Sequence, residues 1–126
     1  MKQGFIYVLT HPSDPNLYKI GVTIRDPMKR LAQHNHDFTK AAGRIVEETG
    51  QKWELKEYHL VPDPYWAESV FWGNTHLADI PFLGGTEVHK LEWREIEKAL
   101  SAAKLAGVRP EAKKERWTTL RKITQK

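Results

Sequence analysis

Cysteine is absent from this 126-residue chain, which excludes disulfide staples, thiolate zinc sites and a cysteine nucleophile. Long hydrophobic runs are missing as well. The longest near the start is Phe5-Ile6-Tyr7-Val8-Leu9, far short of the roughly 20 residues that cross a bilayer, and no extended apolar stretch follows Lys2 as a leader would require. There is no internal repeat and no low-complexity tract. What remains is 40% hydrophobic and 10% aromatic, with five tryptophans, enough to bury a real core. The expectation is a cytoplasmic domain without membrane contact.

The formal charge of +4 conceals a strong segregation. Residues 1–44 carry 7 basic and 3 acidic side chains, residues 45–103 carry 5 and 11, and residues 104–126 carry 8 and 2. Clustered Lys and Arg release condensed counterions when they meet phosphates, so two basic ends around an acidic centre suit a polyanionic partner. A solvated basic face is the plain alternative.

Turn and cap residues divide the chain into elements. Phe5 to Leu9 and Leu17-Tyr18-Lys19-Ile20-Gly21-Val22-Thr23 are β-rich and flank a turn-forming His11-Pro12-Ser13-Asp14-Pro15-Asn16, which predicts a hairpin. Asp26-Pro27 is an N-cap followed by a first-turn proline, opening a helix with Met28, Leu31 and Ala32 on its apolar side. On that helix Arg30 and His34 are four apart and share a face. Trp53 to Val61 predicts a third strand, Asp63-Pro64 a second helix start, with Trp66, Val70 and Leu77 as the apolar stripe and Glu68 among aromatics. Gly84-Gly85 is a turn signal, and Trp93, Ile96, Leu100 and Ala103 predict a helix ended by Gly107 and Pro110. Residues 1–106 then form one domain and 107–126 a basic tail or last short helix.

The order of motifs is similar to that of a known family. Phe5-Ile6-Tyr7, then Lys19-Ile20-Gly21, then a helix with Lys29-Arg30-Leu31-Ala32-Gln33-His34, and later Glu68 in Ala67-Glu68-Ser69-Val70-Phe71-Trp72, resemble the GIY-YIG nuclease superfamily. Within it, the Tyr18 to Thr23 stretch and the Gly-Gly-Thr-Glu turn are closest to the branch described as a bacteriophage DNA-binding domain. The resemblance covers about residues 4–100. It implies an α+β fold, a small central three-stranded antiparallel sheet flanked by helices, and DNA phosphodiester hydrolysis with a single Mg²⁺ or Mn²⁺ ion.

The same resemblance assigns the site residues. Tyr7 matches a tyrosine near the attacking water, proposed there as general base. An unperturbed tyrosine has a pKa of about 10, so the role asks for positive charge nearby, which Lys19 and Arg30 are placed to supply. Lys19 stands where the second motif has tyrosine; Tyr18 sits one residue early, and strand alternation turns it to the opposite face. Arg30 matches the arginine that holds the scissile phosphate, with His34 one turn on for phosphate contact or proton transfer. Glu68 matches the one metal-binding glutamate, sufficient because Mg²⁺ keeps waters and takes phosphate oxygens.

Plainer readings stand beside these. Arg30 as a solvated surface residue and Glu68 in a buried salt bridge with Arg30 or Lys19 explain the same residues. Trp53, Trp66, Trp72 and Trp93 read as core. His34, His36, His59 and His76 match no zinc spacing. No match exists for the family's late asparagine, so a non-catalytic DNA-binding module with the same fold remains the alternative, and a protein-binding domain using the acidic middle comes third. Lys113, Lys114, Arg116, Arg121 and Lys122 are the phosphate contacts expected in the tail, with Trp117 available to stack on an unpaired base. Removing residues 108–126 should therefore weaken DNA binding and flatten its dependence on salt, measured by fluorescence anisotropy across a salt series; unchanged affinity would leave the tail a solvated face.

Overall fold

The computed structural model describes residues 2–78 and 88–110. Its order is β1 (Gly4–His11), β2 (Asp14–Thr23), α1 (Pro27–His36), α2 (Ala41–Thr49), β3 (Glu54–Val61), α3 (Pro64–Gly73), β4 (His89–Lys90) and α4 (Trp93–Leu105). The strands form one antiparallel sheet in the order β3-β1-β2-β4. This is the expected α+β architecture, with a correction: among the described residues the sheet has four strands, not three. The fourth is only two residues long, pairing Leu17 with Lys90 and Tyr18 with His89, too short for periodicity to reveal.

β1 lies in the middle, and both faces of it are covered, so Ile6, Tyr7, Val8 and Leu9 are all fully buried and the apolar run shows no alternation. Alternation nonetheless sorts them. Ile6 and Val8 join Tyr18, Ile20 and Val61 under α3 and α4, which contribute Ala67, Phe71, Trp72, Ile96 and Leu100. Tyr7 and Leu9 point the other way, into a second cluster with Trp53 and with Ala42 and Val46 of α2, flanked by Leu31 of α1. The protein is thus three layers: α3 and α4, the sheet, α1 and α2.

Both Asp-Pro starts are helix N-termini. The Asp26 carboxylate accepts from the Met28 amide at 2.9 Å and the Asp63 carboxylate from the Trp66 amide at 3.2 Å, each with proline in the first turn. α1 departs from its expected packing: Met28 is exposed, and the buried residues are Pro27, His34 and Asn35. α3 also turns differently, burying Ala67, Phe71 and Trp72 while Trp66 and Val70 are half-buried. Trp53 and Trp72 are core, whereas Trp93 is half-buried with the Lys56 ammonium 4.3 Å from its ring centroid. The hairpin turn is tighter than predicted, since Asp14, Pro15 and Asn16 belong to β2.

The helix α2 has no counterpart among the elements read from sequence. Its first residues have no side-chain cap, Gly43 interrupts it, and Ile45-Val46 is β-branched, all of which lower local helix preference. Tertiary contact decides instead. A Cβ at Gly43 would stand 1.9 Å from the Asp37 carbonyl oxygen, so α2 meets the end of α1 backbone to side-chain-free backbone. Gly43→Ala should therefore destabilise by about 1–3 kcal/mol, read as a fall in thermal midpoint of roughly 4 °C per kcal/mol, although alanine is the better helix former.

Candidate active site

The face of the sheet beneath α1 and α2 carries the chemistry. Tyr7 on β1 and Lys19 on β2 both lie on it, both fully buried, while Tyr18 is in the opposite core as its one-residue offset requires. Gly21 is the direct cross-strand partner of Tyr7. A Cβ there would come within 2.4 Å of the Tyr7 hydroxyl oxygen, so the phenol lies across the glycine, and no other residue type leaves room for it.

α1 faces this surface with Arg30 and His34. The Tyr7 hydroxyl and His34 Nε2 are hydrogen-bonded at 2.8 Å. Arg30 is half-buried and also donates from Nη1 to Gln33 Oε1 at 2.7 Å. Asn35 fixes the helix: its amide donates to the Trp53 carbonyl at 3.2 Å and its side-chain oxygen accepts from the Trp53 amide at 2.7 Å. Glu68 comes from α3. That helix packs in the other layer, yet the Glu68 carboxylate is coupled by charge to Lys19 and to Tyr7. Five side chains from four elements, Tyr7, Lys19, Arg30, His34 and Glu68, therefore form one electrostatic cluster.

Tyr7, His34 and Glu68 bear the mark of low dielectric. Burial pushes the Tyr7 phenol above its ordinary value, outweighing the hydrogen bond and positive charge of Arg30, and Glu68 adds to the rise. This corrects the expectation that nearby cations lower it: desolvation wins, and Tyr7 stays protonated. Burial is also the main cause that takes His34 down to about 4, helped by the charges of Lys19 and Arg30. Burial raises Glu68 against the opposing pull of Lys19. At neutral pH, Tyr7 and His34 are therefore an uncharged pair set among charges. With the ring proton on Nδ1, the neutral His34 accepts the Tyr7 proton at Nε2.

Glu68 Oε2 is buried without a hydrogen-bond partner among the described residues. A solitary hard oxygen of this kind suits a divalent cation such as Mg²⁺. Among the described residues no group of three or more His, Asp or Glu gathers to hold an ion, so an ion here would complete its shell with water and phosphate oxygens.

The family model of the T5orf172 domain matches residues 4–105. The chain belongs to the T5orf172 domain family. This is a phage-derived domain of nuclease-associated type, and every residue of the T5orf172 cluster lies inside the match. No curated protein and no solved structure matches the chain.

Of the residues named from sequence, Tyr7, Lys19, Arg30, His34 and Glu68 come together in this T5orf172 domain. Lys113, Lys114, Arg116, Trp117, Arg121 and Lys122 lie outside the described residues, as does Gly84-Gly85. Gly21, quoted only as part of the second motif, and Asn35 are the supporting residues to which the sequence assigned no role. A lone glycine inside a β-rich run is the signal for the first; a side chain bonded to backbone 18 residues away leaves none for the second.

The depressed His34 value has a consequence for stability. The unfolded chain takes up a proton near the ordinary value of 6.5, the folded one only near 4, so His34 contributes nothing to pH dependence above that window and costs stability as pH falls through it. Denaturant unfolding between pH 7 and 4 should show declining stability, and His34→Gln should remove that part of the slope. An unchanged slope in the variant would mean that His34 is freely protonated.

Proposed function

We propose that this protein is a DNA-binding domain of the GIY-YIG nuclease type that hydrolyses phosphodiester bonds with one divalent cation at Glu68. The observation that supports it is the convergence of Tyr7, Lys19, Arg30, His34 and Glu68, which sequence order separates widely, into one charge-coupled cluster. Arg30 and Glu68 are half-buried and form its rim, while Tyr7 and Lys19 are its floor.

The chemistry follows from those positions. A phosphate at the rim meets the Arg30 guanidinium, a planar donor suited to two of its oxygens. Tyr7, protonated and bonded to neutral His34, acts as a relay: its oxygen takes a proton from the attacking water as its own proton passes to His34 Nε2. That route avoids the costly tyrosinate which burial opposes. The imidazolium formed in this way gives its proton up to water as product leaves, which restores neutral His34, and the Lys19 ammonium and Arg30 offset the negative charge that builds up on phosphorus oxygens. Mg²⁺ or Mn²⁺ held by the buried Glu68 oxygen would polarise the phosphate and stabilise the leaving oxygen.

One observation favours a second reading, a non-catalytic DNA-binding module. Tyr7 and Lys19 have no exposed surface, as expected of groups that only hold the layers together. A single experiment separates the two. Supercoiled plasmid should be nicked with Mg²⁺ or Mn²⁺ and spared with EDTA, and Glu68→Gln should slow nicking on the order of 100-fold or more while affinity stays within a few-fold. Nicking that survives Glu68→Gln removes the metal assignment, and binding without nicking under either cation selects the module.

A further inference from the structure

The sheet face that holds Tyr7 continues past the cover of α1 and α2. Register defines the surface there. Tyr58 on β3 is the cross-strand partner of Tyr7, and in the next row Leu60, Phe5 and Thr23 lie side by side on β3, β1 and β2. Direct partners in an antiparallel sheet point to the same face, so Phe5, Tyr58 and Leu60 share the face of Tyr7. Tyr58 and Leu60 are 51% and 57% exposed. Single exposed apolar residues are ordinary, but these adjoin one another, and Phe5 meets the Tyr58 ring edge to face at 5.7 Å and 69°. That contact holds the two rings against one another, and about half of Tyr58 stays open to solvent beside it.

Charge surrounds the same rows on the β2 side. Past Thr23, the exposed Ile24 leads to the exposed Arg25, and the first turn of α1 carries the exposed Met28 and Lys29 with Arg30 at the rim of the cluster. The exposed aromatic therefore stands at β3, and the cations Arg25, Lys29 and Arg30 stand past β2 and on α1 with Ile24 and Met28 among them, two strand spacings away, roughly 10 Å. A nucleotide has the same division, a flat apolar base at one end and an anionic phosphate at the other.

We propose that Phe5, Tyr58 and Leu60 form a stacking platform for an unpaired base on the DNA strand whose phosphate meets Arg30. The inference rests on the nucleic-acid reading above and adds to it a preference for single-stranded or locally opened DNA, since a base inside a duplex keeps its faces against its neighbours. Stacking on an aromatic ring is indifferent to sequence because every base has a π-face. The platform thus gives grip near the scissile bond without base selection.

The test uses the full chain and a labelled single-stranded oligonucleotide of roughly a dozen nucleotides. Tyr58→Ala should weaken binding about 5- to 150-fold, the range of one lost base stack, with the slope against salt unchanged, since no phosphate contact is removed. Tyr58→Phe keeps the ring and should bind as the wild type does. Arg30→Ala should weaken binding and reduce the salt slope by about one. Oligonucleotides with a single abasic site, scanned along the strand, should reproduce the Tyr58→Ala loss at one position and add nothing to it in that variant. If Arg30→Ala weakens binding and Tyr58→Ala leaves it within twofold, the platform is wrong and the phosphate reading stands. If neither variant changes affinity, the nucleic-acid reading itself fails. A wild type that sediments as a dimer and a Tyr58→Ala variant that sediments as a monomer would make this face a contact between copies and overturn the proposal.

Discussion

Lys19 is the constraint from which much of this fold follows. Its side chain has no exposed surface, and an ammonium taken out of water costs several kcal/mol unless other groups answer it. The carboxylate coupled to it belongs to Glu68 on α3, a helix that packs mainly in the other layer. Charge therefore links Lys19, on the face beneath α1 and α2, with a helix of the other layer, in addition to the apolar packing of both layers on the sheet. The helix start at Asp63-Pro64 matters for the same reason: Asp63 caps α3 and also accepts from the Arg109 amide at 3.1 Å, so the helix bearing Glu68 is fixed at its beginning by a buried carboxylate.

The same burial divides the protons. In a site where Lys19 and Arg30 are positive, the imidazole that stands beside them is denied its own proton and the phenol keeps one, because each avoids becoming a further isolated charge. Acid and base are then preset in a neutral hydrogen bond of 2.8 Å. Two titratable groups pushed in opposite directions by one environment are a common arrangement where protons move. A core tyrosine whose hydroxyl merely needed a partner would be satisfied by any backbone carbonyl, and would need neither a glycine beneath it nor a cation beside it.

Much of this was legible in the sequence, and the pattern of what was not is instructive. The motif resemblance put Lys19 on the face of Tyr7, and strand alternation then turned Tyr18 to the other, because a period of two leaves no freedom once one residue is assigned. Two Asp-Pro pairs located α1 and α3 through local hydrogen bonds that involve only neighbouring residues. The misses are where distant contacts overrule local preference. α2 forms against its own residues because Gly43 permits an approach that only the fold supplies. β4 exists because β2 offers an edge to two residues. α1 buries His34 and Asn35 in preference to Met28 because Tyr7 and the Trp53 backbone need polar partners there, and an apolar stripe cannot announce that need. The direction of the Tyr7 shift was missed for a related reason: sequence names the charges nearby, while the depth of burial that outweighs them belongs to the packed structure.

The gradient of exposure across the cluster limits how a substrate can approach. Tyr7 and Lys19 are fully buried, His34 nearly so, and Arg30 and Glu68 reach the surface only in part. α1 and α2 cover the Leu9 and Trp53 end of this face, and exposure rises towards the other end, from buried Gly21 through half-buried Thr23 and Phe5 to exposed Tyr58 and Leu60. A stiff double helix laid on that surface presents its phosphates from outside and meets the rim residues, whereas the floor is reached only by a phosphate that can lead its own backbone inward. A strand whose bases are unstacked and held to one side has that freedom. On the proposed function, the depth of Tyr7 and the exposure of Tyr58 are therefore two sides of one requirement: the deeper the reacting groups lie, the more the strand must be opened to reach them, and the more useful an aromatic surface beside the entrance becomes.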